Sequence, residues 1–289
     1  MKRCLGCGSG FDGEAWRCPK CGDEPRHING HWMFAPSLAE GNDGFRPEYF
    51  DGLSRVESGN FWFEARNRLI VWGLRRYFPM AKRFLEIGCG TGFVLSEIRH
   101  RFPDLSLFGS EVFSSGLALA EKRVPDVELF QMDARRIPFQ DEFDVIGAFD
   151  VLEHIDEDEA VISQMWRAVR RGGGILITVP QHPFLWSRAD DYAFHKRRYT
   201  RREIAARIEG AGFSIVRITS FVSLLFPLMV ISRMKQRMAT TVYDPSAEMR
   251  VGGLVNALLG MILGIEGVLI KQGLSFPAGG SLLVAAVRK

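Results

Sequence analysis

Three glycines and three carboxylates recur at intervals suited to a nucleoside cleft. The run Phe84-Leu85-Glu86-Ile87-Gly88-Cys89-Gly90-Thr91-Gly92 carries an apolar strand through an acidic residue into alternating glycines. Gly88, Gly90 and Gly92 allow the main chain to approach a bulky ligand where a Cβ would clash, and Phe93 to Arg101 reads as a helix whose N-terminus points there. The dinucleotide fingerprint G-x-G-x-x-G sets a pyrophosphate on such a helix, whereas Glu-x-G-x-G-x-G places a carboxylate at the strand end. That charge repels a diphosphate and suits a ligand with an ammonium group. Roughly 20 residues past the turn, Glu111 closes the strand Leu105 to Ser110, where an acid accepts both ribose hydroxyls. Asp133, with Ala134 beside it, closes Val127 to Met132 and can accept from an adenine amino group. Asp150 closes a fourth strand, Phe143 to Phe149.

A single acid after a strand usually caps a helix, but four strand-end motifs in one order are harder to explain so. Over roughly Phe61 to Lys289 the chain resembles the class I S-adenosylmethionine-dependent methyltransferases. The resemblance implies S-adenosylmethionine as cofactor, with Glu86 on its methionine part, Glu111 on the ribose and Asp133 on the adenine. It also implies an α/β fold: a Rossmann-like seven-stranded, mostly parallel sheet whose last strand is antiparallel.

Two clusters could handle a methyl acceptor. Asp150, Glu153 and His154 stand at i, i+3 and i+4, which on a helix turns them to one cavity. The Glu-His pair resembles the acceptor-bordering segment of ubiquinone-pathway O-methyltransferases. By that analogy His154 is a candidate base or, with Glu153, a ligand for a divalent ion; capping and cofactor packing is the plainer alternative. The second cluster follows the fifth strand and runs from His182 through Trp186 to His195-Lys196-Arg197-Arg198-Tyr199. His195 is a second catalytic candidate, the cluster's histidines and Arg198 can hold an anionic group on the acceptor, and Trp186 and Tyr199 can wall an apolar part; decoration of a helix start is again the plainer alternative.

These residues need a frame. Phe61 to Tyr77 reads as an amphipathic helix stopped by Pro79. A helix begins at Val151, Gly172-Gly173-Gly174 turns the chain into a fifth strand (Ile175 to Val179), and Thr200-x-x-Glu203 is a capping box opening the next helix. Gly212-Phe213 opens a sixth strand through Ser220, and Ser281 to Arg288 is the last. Between them, at about 221–275, lies an apolar insertion far longer than a hairpin needs. Its two parts, Phe221 to Ile231 and Val251 to Ile270, fall short of secure membrane spans, the second carrying Glu266 mid-segment. Two readings stand side by side: a helical lid buried on its own domain or in a dimer interface, and an apolar cover over the acceptor pocket that leans on a membrane with its basic residues facing lipid phosphates.

Residues 1–26 read as a separate zinc ribbon. Cys4-x-x-Cys7 and Cys18-x-x-Cys21, each followed by glycine, supply the four thiolates of a closed structural zinc site. Residues 27–60 read as a connector and 61–289 as the methyltransferase domain. With 46% hydrophobic and 25% charged residues the 289-residue chain is neither disordered nor fibrous. The N-terminus lacks a secretory run, so a cytoplasmic location is expected. A net charge of +3 argues against nucleic acid as partner, as does the lack of an Asn/Asp-Pro-Pro-Tyr motif after the fourth strand. The favoured reading is methyl transfer to a small hydrophobic or lipid-linked acceptor carrying an anionic group. Its rivals are an RNA methyltransferase gripping its substrate with the ribbon, and a non-catalytic scaffold.

Overall fold

The computed structural model describes residues 1–41, 46, 48–238 and 251–289. Parts of the expected connector (42–45 and 47) and of the insertion (239–250) lie outside the described residues. The chain opens with β1 (Lys2–Arg3), β2 (Gly10–Phe11), β3 (Arg26–Ile28) and β4 (His31–Met33), then α1 (Tyr49–Val56) and α2 (Phe61–Tyr77). An alternating run follows: β5 (Arg83–Ile87), α3 (Phe93–Arg101), β6 (Ser106–Glu111), α4 (Ser114–Arg123), β7 (Glu128–Gln131), β8 (Phe143–Phe149), α5 (Asp158–Ala168) and β9 (Val169–Pro180). The C-terminal part holds α6 (Arg188–Tyr192), α7 (Arg201–Gly210), β10 (Phe213–Phe221), α8 (Phe226–Met238), α9 (Gly253–Lys271) and β11 (Ser281–Arg288).

The main sheet runs β10-β11-β9-β8-β5-β6-β7-β4-β3, with β11 antiparallel to both neighbours. The seven expected strands are all in this sheet, mostly parallel, with the last one antiparallel as expected. Two more come from the segment read as an unpatterned connector: β4 pairs parallel to β7, setting Trp32 opposite Phe130 and Met33 opposite Gln131. Three-residue strands are too short for alternation to reveal, and β7 supplies the pairing edge.

Local chemistry accounts for the element ends. Asn60 accepts from the Trp62 N–H at 2.9 Å to start α2, and Thr200 and Glu203 exchange the two bonds of the expected capping box at α7. Two expectations shift. Gly172–Gly174 is absorbed into β9, which starts at Val169. The helix expected from Val151 is a 3₁₀ turn over Leu152–His154, and α5 begins only at Asp158.

Apolar side chains pack on both faces of the sheet, as parallel strands require. The N-terminal segment joins this core. Trp16 lies 4.7 Å from Phe34 and 5.4 Å from Phe139, ring centre to ring centre, and Lys2 bridges to Phe139. α9 lies along α2, and its mid-helix Glu266 turns inward to accept the Ser223 and Leu224 N–H groups, each at 2.7 Å.

Candidate functional site

The carboxyl ends of β5, β6, β7 and β8 open on one cleft of about 1170 Å³, more than a single small ligand fills. The glycine turn forms its floor. A Cβ on Gly88 would lie 2.6 Å from Val151 Cγ2, and one on Gly92 would lie 3.0 Å from Ala120 Cα, both at positive φ. Glycine at these points lets the turn fold tightly against β8 and α4. Gly88 and Gly90 line the cleft, and Gly92 packs against α4.

Glu86 is 2% exposed, and its Oε2 has no hydrogen-bond partner. Burial drives its carboxyl well above the ordinary range, opposed by the Arg66 guanidinium and reinforced by Glu111. Glu111 is better satisfied: it accepts from Gly90 N–H at 3.1 Å, Val112 N–H at 2.7 Å and Phe113 N–H at 3.3 Å. Burial raises its pKa too, and these N–H groups counter the rise. Asp133 accepts the N–H and the Nε–H of Arg135 at 2.9 and 3.0 Å, while Ala134 lines the cleft beside it. Asp150, at φ 57°, pairs with Arg66, whose guanidinium lies 4.9 Å from the Trp62 ring centre.

Two groups at this end escaped the sequence reading. Arg66 shows there only as one of several arginines on an amphipathic helix. Glu57, from the segment read as a connector, accepts from Thr91 Oγ1 at 2.8 Å and from Arg123 at 2.9 Å, tying the α1–α2 joint to the glycine turn.

At the acceptor end, Glu153, His154 and His195 converge, their potential ligand atoms all within 4.8 Å. The i, i+3, i+4 argument for Asp150, Glu153 and His154 does not hold, because this stretch is a 3₁₀ turn entered through a left-handed Asp150. The turn nevertheless brings all three to the cleft. Glu153 is 1% exposed and its carboxyl is raised well above normal by burial and then by Asp150. Burial, with His195 adjacent, drives His154 down to about 3.

His195 is held from behind. Its Nδ1 lies 2.9 Å from Asp190 Oδ1, which also accepts Arg198 Nε at 2.7 Å. Asp190 Oδ2 takes the Ser187 N–H at 2.9 Å. Burial tends to raise Asp190, yet His195 and Arg198 hold it down at about 2, so it is a carboxylate. Nothing in the residue spacing predicted Asp190 in this role.

Two expected wall residues stand elsewhere. Tyr199 is fully buried and donates to Asp158 Oδ2 at 2.6 Å; its backbone pairs with Pro180 and His182, drawing the ring under the sheet. Trp186 donates its indole N–H to Asp191 at 2.9 Å and is not among the cleft-lining residues. The apolar wall comes instead from the insertion: Leu225, Leu228, Met229 and Leu259, with Arg233 beside them.

The four N-terminal cysteines converge outside the cleft. Cys4 and Cys21 Sγ lie 3.5 Å apart, Cys7 and Cys18 Sγ 3.7 Å, and all four fall within 4.8 Å of one another. Zinc at about 2.3 Å from four thiolates sets sulfurs roughly 3.8 Å apart, so the set fits the ion.

A methyltransferase-domain family model matches residues 84–173, the stretch that supplies Glu86, the glycine turn, Glu111, Asp133 and Asp150. A probable S-adenosylmethionine-dependent methyltransferase of Mycolicibacterium smegmatis is 26% identical over 163 residues, 54% of this chain and 60% of that one. A phosphatidylethanolamine N-methyltransferase of Cereibacter sphaeroides is 37% identical over 102 residues, 33% and 49% of the two chains. The chain thus spans about half the length of these relatives. In fold it is similar to phosphoethanolamine N-methyltransferase 2 of Haemonchus contortus, with a TM-score of 0.55 at 19% identity, covering 84% of this chain and 57% of that one. Strand order and the reversed last strand agree with the fold of these methyltransferases, and residues 84–173 carry the match to the methyltransferase-domain family.

Proposed function

We propose that the protein transfers a methyl group from S-adenosylmethionine to a small hydrophobic, lipid-linked acceptor bearing an anionic group. The observation that carries the cofactor half is Glu86. A buried carboxylate oxygen with no donor costs several kcal/mol, and the ammonium of the methionine part is a donor of the right charge. Glu111 would accept the ribose hydroxyls, and Asp133 would offer the adenine amino group the lone pairs that Arg135 leaves. When bound, the cofactor supplies an electrophilic methyl group on a sulfonium.

The chain's own residues would do the rest. Leu225, Met229 and Leu259 keep water from the acceptor and grip its apolar part. Arg198 and Arg233 line the cleft and would hold the anion: burial lowers the Arg198 pKa, Asp190 offsets that, and Arg233 adds to the lowering. His154 is too weak a base to take a proton at neutral pH. His195 is the better candidate, because the Asp190 carboxylate accepts from Nδ1–H and so leaves Nε2 as the hydrogen-bond acceptor. It would accept the proton that an acceptor hydroxyl or ammonium must lose. The relative named for phosphatidylethanolamine favours a lipid-type acceptor.

Incubation with methyl-tritiated S-adenosylmethionine and a solvent-extracted lipid mixture is expected to yield a labelled, chloroform-soluble product. His195→Ala should lower that rate about a hundredfold with cofactor binding unchanged. Label entering RNA instead, or a rate indifferent to His195, would sink the acceptor assignment or the base assignment respectively.

We further propose that Cys4, Cys7, Cys18 and Cys21 hold one structural Zn²⁺.

A further inference from the structure

We propose that the outward faces of α8 and α9 bind an anionic lipid bilayer, so that the protein lies on a membrane with its cleft open to it. The inference deepens the reading of a lipid-linked acceptor and rests on it for purpose, while its geometry stands on the surface alone. Along α9, Leu254, Leu258, Met261, Ile265 and Val268 follow at every third or fourth position, a single stripe of the helix, each between 52% and 91% exposed. On α8, Leu228, Ile231 and Met234 are likewise more than half exposed. Both polar side chains inside α9 turn the other way. Asn256 accepts from Phe61 N–H and donates to the Gly59 carbonyl, each at 2.9 Å, and Glu266 is 1% exposed on the Ser223 and Leu224 N–H groups. The residues that would break an apolar surface have been spent on the domain beneath it.

Charge chooses the occupant. Apart from the buried Glu266, the charged residues of the two helices are all basic: Arg233, which lines the cleft, Arg237, held on the Trp186 and Phe184 carbonyls, and Lys235 and Lys271. A second copy docked face to face would bring these cations near their counterparts, whereas anionic headgroups neutralise them. Crossing the bilayer is the wrong geometry. α9 is 19 residues, roughly 28 Å, but Leu263, Gly267 and Ile270 are buried against the domain, and Gly260 abuts Phe61 of α2. Such a helix lies in the interfacial plane. Leu228, Met229, Arg233 and Leu259 of the same helices line the cleft, so an acceptor could pass from bilayer to cleft with its tail shielded from water.

Vesicle co-sedimentation tests this. The full chain should pellet with phosphatidylcholine vesicles containing phosphatidylglycerol, less with phosphatidylcholine alone, and less at high salt. The triple substitution Leu258→Asp, Met261→Asp and Ile265→Asp should lower partitioning at least about tenfold, with binding of S-adenosylhomocysteine retained. Should the triple variant misfold, Leu254→Asp at the most exposed position gives the same direction. No pelleting of the wild type, pelleting indifferent to the aspartates, or a wild-type dimer that they convert to monomer would overturn the proposal. Loss of cofactor binding alone would strike the methyltransferase reading and leave this surface standing.

Discussion

Glu111→Ala is expected to weaken binding of S-adenosylhomocysteine about a hundredfold, measured by titration calorimetry. The side chain lies at the end of β6 and joins three backbone N–H groups: one from the glycine turn and two from the loop into α4. Of about four lone-pair sites on the carboxylate one is left for a ribose hydroxyl, and the long 3.3 Å contact from Phe113 N–H is the one a second hydroxyl would displace. Each charge-assisted hydrogen bond contributes about 1.5–3 kcal/mol, and a factor of ten corresponds to about 1.4 kcal/mol. Allowing water to replace part of the loss leaves roughly two factors of ten. The substitution also strips the Gly90 N–H of its acceptor, so some fold stability goes with it. Glu111→Gln separates the two effects: it keeps the shape and an acceptor, and should cost only about tenfold. An unchanged affinity in a folded Glu111→Ala protein would remove the ribose assignment.

Zinc removal should reach the cofactor site from outside it. One metal per chain is expected, lost in Cys18→Ser, and the N-terminal segment should unfold on chelation because binding and folding are coupled in such modules. That segment and the connector strand it leads into together clamp the loop bearing Asp133. Phe34 N–H donates to the Gln131 carbonyl at 2.8 Å, and the Gln131 side chain holds both backbone groups of Ala35 at 2.9 and 2.8 Å. On the other side Arg3 N–H donates to the Pro138 carbonyl at 2.9 Å and Arg136 to the Leu5 carbonyl at 2.9 Å. Freeing even one loop residue adds an ordering cost of about 1–2 kcal/mol to ligand binding. Chelation should therefore weaken S-adenosylhomocysteine binding about tenfold, with re-addition of Zn²⁺ restoring it. Affinity indifferent to chelation, with the metal demonstrably gone, would show that the segment does not support the loop.

Much of the cofactor end could be read from residue order because each part of it is local. A strand ending in Glu86, a turn needing glycine at Gly88, and acids closing the next strands are set by neighbours in the chain, and the sheet only aligns them. The paired cysteines are legible for the same reason, since four thiolates at close spacing have few other uses. The acceptor end was read less well. Trp186 and Tyr199 have the chemistry of a pocket wall, yet Trp186 bonds Asp191 and Tyr199 is drawn beneath the sheet to Asp158. Both partners are ordinary acids in the sequence.

By itself, then, the order of amino acids determined the alternation of strands and helices, the glycine turn with its ring of strand-end acids, the cysteine set, and the presence of an apolar insertion. Tertiary structure alone decided which way each long side chain faces. It recruited β3 and β4 to the β7 edge, set Arg66 on Asp150, put Asp190 behind His195, and turned Glu266 inward so that the outer stripe of α9 is left wholly apolar. The physical reason is range. Backbone conformation answers to residues a few positions away, whereas a buried charge takes its place from whichever distant donor can satisfy it, as Arg66 and Asp150 do across 84 positions.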